Sequence, residues 1–287
     1  MLRSARIFGC LALLSLGFSS AYAFSLVGPK EAWQTEALGY TLLSEIDYPS
    51  GPWNNLRGPE WTFAPKNYNE WYRWAQPVIY YTYTPTFINY FGLAGVSNVD
   101  SAFAILNGIG KVDSYSPNLA EFPMDEYREN YTANALHLFD LKSAALEQLM
   151  PMLGLADPEY FTWCIRNRIP IPGLSCPFFD FDVIQRNFDP VTLAPSKFVN
   201  GNLFTYQFLI FCPPSFDRQD AVEFLIDPED TYRTAVATPK ISIPNILYMG
   251  YFHTGLTRDD VGGLRYLYST NRVAEEIAPS DATLFQT

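Results

Sequence analysis

Histidine and cysteine are both scarce in this chain. Its 287 residues include two histidines, His137 and His253, so a metal site built from several histidine ligands is excluded by count. Three of the four cysteines, Cys164, Cys176 and Cys212, lie in the second half of the chain. No pair has the C-x-x-C spacing of a metal site, and an odd number leaves one thiol over. A disulfide is expected within this set: the first two close the shortest loop, and the last two are equally allowed.

Basic residues are also few. The chain has 19 Lys and Arg against 30 Asp and Glu, which gives a formal net charge of −11. Nucleic acids and anionic membranes attract clusters of Lys and Arg, and no such cluster is present, so we expect neither as a partner. After the N-terminal region, no segment is apolar for long enough to cross a bilayer. The sequence has no phosphate loop or dinucleotide fingerprint, and we expect no cofactor.

Residues 1–23 have the layout of a secretory signal peptide. Arg3 and Arg6 make a basic start, an apolar run follows, and residues 21–23 (AYA) have the composition of a cleavage site. We therefore predict cleavage before Phe24 and secretion to the periplasm or the extracellular space. Loss of two arginines from 19 basic residues leaves 17 against 30 acidic ones, a net charge near −13.

The rest of the chain is expected to form one large domain with two terminal segments. Residues 24–72 are rich in Trp, Pro, Gly and Asn and have no helical or strand period, which predicts an extended segment anchored by buried tryptophans. Residues 73–272 are assigned to the domain, with 170–240 as a strand-rich insertion, and 273–287 to a frayed tail. The candidate anchors are Trp53, Trp61, Trp71 and Trp74.

Local patterns predict the first elements of this domain. An alternating run of aromatic and β-branched residues between two prolines predicts a strand over 77–85. Apolar spacing predicts a helix over 97–110, with Ser97 or Asn98 as its N-cap and Gly108 as its end.

Further along the chain, periodicity predicts two more helices separated by strands. A helix is expected over 133–152, with His137 as a packed or surface residue and a core-facing stripe at Leu141, Ala145, Leu149 and Leu153. Several strands are expected within 170–240, with Asn200-Gly201 closing a hairpin. In the last helix, Thr257 and Asp260 form a capping box, and Leu256 packs against Val261.

Residues 140–158 read DLKSAALEQLMPMLGLADP, a helical pattern followed by a Leu-Gly-Leu turn. The stretch resembles the zinc-binding helix of metzincin proteases, matrixins among them, in which HExxH and a glycine turn bring three ligands to one zinc ion. With the turn aligned, Glu147 and Pro151 occupy the two histidine positions. Gln148 occupies the position of the catalytic glutamate, and Asp157 that of the third ligand.

Two flanking segments extend the resemblance. Residues 69–85, with the helix over 97–110, are similar to the entry strand and first helix of a matrixin domain. The sequence LTRDDVGGLRYLYS at 256–269 is similar to its closing helix, and Tyr248-Met249-Gly250 lies where its methionine turn would fall. The resemblance implies an α+β fold: a metzincin-like core with a mixed or antiparallel sheet and three main helices, plus a β-rich insertion.

The departures from the family pattern determine the expected function. Gln148 has no proton affinity to act as a base, and Pro151 has no donor atom for a metal. We therefore expect a non-catalytic, pseudo-metalloprotease-like protein that binds no metal at these positions. It would act in binding or in extracellular or cell-surface assembly, with another protein or its own copies as partner. The strands of 170–240 are the expected working surface.

A secreted hydrolase of protease or glycosidase type is the alternative. It would use carboxylates, with His253 as a base near Asp259 and Asp260. Such a mechanism needs two acidic groups facing each other across a cleft. Adjacent carboxylates also arise on the solvated face of any chain this acidic, and no GxSxG elbow accompanies the histidine.

Overall fold

The computed structural model describes most of the chain from Ala23 onward. The described residues are 23–28, 64–68, 73–159, 161–171, 179–211, 220–226, 236, 241–242, 246–247 and 249–269. Helices and antiparallel sheets both occur in this part of the chain, so the fold class is α+β, as predicted. None of the helices described is both long and apolar enough to cross a membrane.

The described part of the chain contains three long α-helices and one short one, besides a 3-10 turn at Val112–Ser114. They are α1 (Pro85–Gly108), α2 (Tyr131–Ala135), α3 (Leu141–Met152) and α4 (Arg258–Tyr268).

The strands are short, and every described pairing is antiparallel. They are β1 (Phe24–Gly28), β2 (Ala64–Lys66), β3 (Tyr127–Glu129), β4 (Leu155–Ala156), β5 (Cys164–Pro170), β6 (Phe179–Ile184), β7 (Asn187–Phe188), β8 (Phe198–Val199), β9 (Asn202–Leu203), β10 (Thr205–Phe211), β11 (Asp220–Ile226), β12 (Ile241–Ser242), β13 (Ile246–Leu247) and β14 (Tyr251–His253).

Strand β1 is the centre of the main sheet. Leu26 pairs with both β2 and β4, and Ser25 pairs with both β4 and β7. Strand β4 therefore lies along one edge of β1, while β2 and β7 follow each other along the opposite edge. Strands β1 and β2 lie in the segment 24–72, which was predicted to be extended and in which the sequence shows no strand period. Five residues are too few to display a period, and burial on both faces removes the alternation.

The strand predicted over 77–85 is wrong. Residues 77–84 form no strand, and α1 begins at Pro85. Thr84 is the N-cap, and its side chain accepts a hydrogen bond from the Phe87 N–H at 3.3 Å. A threonine cap followed by proline at the first helical position is a helix start, and this signal outweighs the β propensity of the residues before it.

The predicted helix over 97–110 is confirmed, but it starts earlier and ends at Gly108. Ser97 and Asn98 are interior residues rather than caps. The Asn98 side-chain amide donates to the Ala94 carbonyl at 2.8 Å. Gly92 interrupts the helix with φ 65° and ψ −165°, a conformation that only glycine adopts readily.

The helix predicted over 133–152 is divided into α2 and α3. His137 lies in the break between them with φ 54°, rather than on a helix. Asp140 caps α3 by accepting the Ser143 N–H at 2.7 Å, which starts a new helix there. The fully buried face of α3 consists of Ser143, Leu146 and Met150. The predicted stripe lies at the margin of the core, where Ala145, Leu149 and Leu153 are partly buried.

Several strands do form within 170–240. Strands β5 and β6 pair with each other, as do β10 and β11, and Phe181 stacks on Phe208 with ring centroids 3.9 Å apart. Asn200 and Gly201 join β8 to β9 with φ of 46° and 85°, so the predicted hairpin is confirmed.

Helix α4 packs closely on the main sheet. A Cβ atom at Gly263 would lie 2.5 Å from Leu155 Cδ2 and 3.2 Å from Phe24 Cβ. Val261, Leu264 and Leu267 enter the core that Phe24 and Leu155 share with α3. The predicted capping box of Thr257 and Asp260 is present. The predicted partner residues Leu256 and Val261 are both buried in this core.

Some predictions fall outside the described residues. These are residues 1–22, Trp53, Trp61, Trp71, Cys176, Cys212, Tyr248 and the tail after residue 269. Cys164 is buried, and its Sγ lies 3.9 Å from the Phe161 carbonyl oxygen. The prediction that Trp74 is a buried anchor is wrong: the side chain is 42% exposed, and from the surface its indole N–H donates to the Met152 carbonyl at 2.7 Å.

Candidate functional site

The four positions aligned with a zinc site have different environments. The Glu147 side chain is 14% exposed and points into the protein, whereas Gln148 on the next position of α3 is exposed. Pro151 lies in the last turn of the helix. Asp157 is buried after β4, and its Oδ1 accepts the Glu159 N–H at 2.9 Å, so it closes a local turn.

The structure brings Glu147 against His253. Glu147 Oε1 lies 3.1 Å from His253 Nε2, and the imidazole is 1% exposed. Strand β14 carries the histidine and pairs with β3, so that His253 lies opposite Tyr127. The turn before β14 requires Gly250, whose φ is 81° and whose Cβ would lie 2.5 Å from the Asn134 backbone nitrogen.

A second contact holds the histidine backbone to the same helix. The His253 N–H donates to Ser143 Oγ at 2.7 Å, and this hydroxyl donates to Asp140 Oδ2 at 2.6 Å. Ser143, in the first turn of α3, thus binds β14 at one point, and Glu147 binds it one turn later. The histidine ring is positioned by its backbone as well as by its side chain.

A carboxylate paired with an imidazole can hold one proton between them or orient the ring for proton transfer. His253 Nδ1 is buried and accepts or donates no hydrogen bond in the part of the chain described. Within that part, no group of three or more His, Cys, Asp or Glu side chains is arranged to hold a metal ion. The contact therefore joins two side chains that can take part in proton transfer. Among the described residues, no third side chain is placed to form a metal site with them.

Asp259 and Asp260 form a separate buried network at the start of α4. Asp259 Oδ2 accepts the Asn200 N–H at 2.6 Å. Asp260 Oδ2 accepts the backbone N–H groups of Thr257 at 2.9 Å and Val236 at 3.1 Å. The sequence grouped these two carboxylates with His253, but the structure pairs His253 with Glu147 instead.

Burial dominates the ionisation of Asp259. It raises the pKa of this carboxyl well above its ordinary value, and the carboxylates of Asp260 and Asp189 raise it further. Backbone N–H groups of Ala23 and Asn200 act in the opposite direction.

A different feature lies on the surface, where residues 74–99 contain no charged side chain. We call this stretch the uncharged segment. Three of its large side chains are almost fully exposed: Tyr80 at 89%, Tyr90 at 82% and Leu93 at 80%. Val78, Ile79, Tyr81 and Ile88 are also exposed. Scattered exposed apolar residues are normal, but a continuous uncharged stretch of them is typical of an interaction surface.

Asp100 on α1 holds the part of the uncharged segment that precedes this helix. The hydroxyls of Tyr81 and Tyr83 both donate to Asp100 Oδ1, at 2.8 and 2.5 Å. Tyr81 also stacks on Phe103 with ring centroids 3.8 Å apart. The two hydrogen bonds lower the pKa of Asp100, and burial together with this carboxylate raises the pKa of Tyr83. Tyr80, immediately before the first of the two bonded tyrosines, points outward.

The sequence identified Glu147 and His253 as separate candidates but did not predict their contact. It also did not identify Ser143 or Asp100. An N-cap signal was available for Asp140, because aspartate directly before a helical pattern is a favoured N-cap residue. No local signal marks Asp100 as the acceptor for two tyrosines.

Comparison of the chain with protein-family models, with curated proteins and with solved structures finds no match in any of the three. The metzincin resemblance therefore stays a prediction that depends on the motifs within residues 69–158 and 248–269.

Proposed function

We propose that this chain is an exported, non-catalytic protein of metzincin-like descent that assembles with further copies of itself through the uncharged segment. The single observation that carries the proposal is the near-complete exposure of Tyr80, Tyr90 and Leu93 in a stretch without charge. Aromatic side chains are enriched in the centres of protein interfaces, and charged side chains are depleted there.

The net charge favours a second copy as the occupant. Two exported chains, each with 17 basic against 30 acidic residues and a net charge near −13, repel each other wherever their acidic surfaces meet. Residues 74–99 are the longest stretch of the domain without a charged side chain. Two copies that meet through this stretch bring no acidic side chains of their own segment together. Burial of the tyrosines and Leu93 would then supply the attraction.

The environment of the former catalytic helix supports a non-catalytic role. Gln148 is exposed and carries no base, and Pro151 supplies no ligand. Glu147 and Ser143 instead bind strand β14, so α3 acts as a scaffold. On this proposal α3 retains a structural role and has no catalytic one.

The test is sedimentation velocity of the wild type and of a Tyr90→Asp, Leu93→Asp double variant across a concentration series. Both residues are exposed, so the fold is expected to persist. A tyrosine at the centre of an interface contributes about 2 kcal/mol or more, and the double variant should therefore weaken association by at least about 30-fold. Val191→Asp, an exposed apolar residue outside the segment, is the matched control and should leave association unchanged.

Other occupants give different outcomes in the same variants. A second outcome is that the wild type stays monomeric but floats with zwitterionic lipid vesicles, while the double variant does not float. The uncharged segment would then bind a membrane surface rather than a second copy. Equal loss of association in Val191→Asp would show that the effect is general acidity, and the proposal would fall.

The contact between Glu147 and His253 favours one second candidate, an acid–base hydrolase. A carboxylate that orients an imidazole is a common arrangement in hydrolases, although among the described residues the other ring nitrogen, His253 Nδ1, has no hydrogen-bond partner. Hydrolysis of a chromogenic peptide, ester or glycoside by the wild type that disappears in Glu147→Gln would support this candidate. The same turnover by both proteins would assign the activity to another group or to a contaminant.

A further inference from the structure

Residues 78–84 have the composition of a β-strand but belong to no sheet in the part of the chain described. The run reads VIYYTYT, so that every residue is β-branched or aromatic, and Pro77 and Pro85 bound it. Residues of these types favour strands, and proline ends them. No strand is assigned between Lys66 and Tyr127 among the described residues. The β propensity of this run is therefore not used within the described fold.

The side chains of this run alternate as they do on a strand. The hydroxyls of Tyr81 and Tyr83 both donate to Asp100 on α1, so residues two apart point to the same side. Tyr80 points to the opposite side and is 89% exposed. Thr84, at the end of the run, has an extended backbone with φ −69° and ψ 150°. One face of the run is thus bound to α1, and the other is open to solvent.

The backbone of the run is unpaired on both edges. Within the described residues, no backbone N–H or C=O group of residues 78–83 takes part in a hydrogen bond. Residues 78–82 are exposed, so water solvates these groups in a single chain. Proteins protect open strand edges with charged side chains, and this run carries none. An unprotected row of donors and acceptors is a template on which another strand can add.

Contacts with α1 order the run before any partner arrives. Besides the two hydrogen bonds to Asp100, Tyr81 stacks on Phe103 with ring centroids 3.8 Å apart. Tyr83 stacks on Phe87 with centroids 5.2 Å apart. A flexible segment loses conformational entropy when it joins a sheet, whereas a segment that is already ordered loses less. The helix therefore prepares the run for strand addition.

The same run in a second copy is the partner strand that fits best. It is uncharged, so it approaches without the repulsion that the acidic surfaces impose. Cross-strand pairs of aromatic and β-branched residues stabilise an antiparallel ladder. A strand that pairs antiparallel with itself follows a two-fold axis, the commonest symmetry of homo-oligomers. Pro77 and Pro85 end the ladder after seven residues in both copies.

We propose that residues 78–84 form an antiparallel β-ladder with the same residues of a second copy. This inference rests on the self-assembly proposed above and names the backbone contact that produces it. The ladder uses one edge of each copy, because the N–H and C=O groups of neighbouring residues point to opposite edges. The strand that the sequence predicts here then forms between two chains rather than within one.

Hydrogen exchange resolved to single amides tests the ladder in a dilute sample and in one concentrated enough to associate. We expect the amides of residues 78–83 to exchange freely in the dilute sample. In the concentrated sample, alternate amides, either those of 78, 80 and 82 or those of 79, 81 and 83, should exchange at least about 10-fold more slowly. Protection of the run already in the dilute sample would show that it pairs within its own chain, and would overturn the proposal.

Proline substitution removes a backbone donor from each edge of the run. In the Ile79→Pro, Thr82→Pro double variant neither lost N–H is bonded in the described fold, so a single chain should fold as before. Ile79→Ala, Thr82→Ala is the matched control, because it shortens the same side chains and keeps both N–H groups. Sedimentation velocity should give the proline variant a dissociation constant at least about 10-fold higher than that of the alanine variant. Equal unfolding temperatures of the two variants in dilute solution show that both are folded.

The outcomes separate the ladder from self-assembly itself. Slower exchange of alternate amides, together with weaker association of the proline variant, is the expected result. Association without amide protection, and with equal dissociation constants for the proline and alanine variants, would overturn the ladder and leave assembly through side chains alone. A wild type that stays monomeric at every concentration would overturn both proposals. Should the proline variant fail to fold, the exchange measurement on the wild type still decides the question.

Discussion

Single hydrogen bonds hold distant parts of this chain together. The Ser143 hydroxyl accepts a hydrogen bond from the backbone N–H of His253, 110 residues away, and donates one to the Asp140 carboxylate. Each of these groups is buried or partly buried, so loss of the hydroxyl leaves a backbone donor without a partner and out of reach of water. An unsatisfied donor of this kind costs more than the hydrogen bond itself contributes.

Ser143→Ala is therefore expected to lower the free energy of unfolding by about 1–3 kcal/mol, measured by urea denaturation. Ser101→Ala is the matched control. Its hydroxyl is exposed and donates only to the Ser97 carbonyl within α1, so a change below about 0.5 kcal/mol is expected. Equal effects at the two positions would contradict the role assigned to Ser143.

At the scale of elements, α4 depends on a residue without a side chain. Gly263 allows the helix to approach Phe24 and Leu155 more closely than any Cβ would permit. Glycine weakens a helix by about 1 kcal/mol relative to alanine, so its presence in the middle of α4 reflects packing rather than propensity.

Gly263→Ala is expected to destabilise the protein by about 1–3 kcal/mol, because overpacking against Phe24 Cβ outweighs the gain in helix propensity. Gly108→Ala, at the end of α1, introduces a Cβ with no atom within 4 Å and should be neutral or slightly stabilising. Thermal unfolding of both variants measures the contrast. A stable Gly263→Ala protein would show that α4 can move away from the sheet without cost.

The sequence predicted those elements whose causes are local. The Thr257 capping box and the Asn200-Gly201 hairpin depend on neighbouring residues, and both are present. The strand predicted over 77–85 failed because a cap and a proline outweighed β propensity. Contacts such as Glu147 with His253, which are 106 residues apart, depend on the assembled core and leave no local pattern.

At the scale of the whole molecule, charge and apolar surface are distributed unequally. The chain carries a net charge of −11, yet residues 74–99 contribute none of it. Asp100 lies at the end of this stretch and binds Tyr81 and Tyr83, which orders the segment without placing a charge among its exposed rings. Such a surface favours contact between copies once the repulsion between the remaining surfaces is weakened.

Sedimentation equilibrium of the wild-type protein at low and high salt tests self-assembly most directly. Salt screens the repulsion between acidic surfaces and leaves apolar burial intact, so we expect the average mass to rise with both protein concentration and ionic strength. A single monomeric mass at every concentration and salt would contradict assembly through the uncharged segment. Association that weakens as salt is added would assign it to charge pairing elsewhere on the molecule.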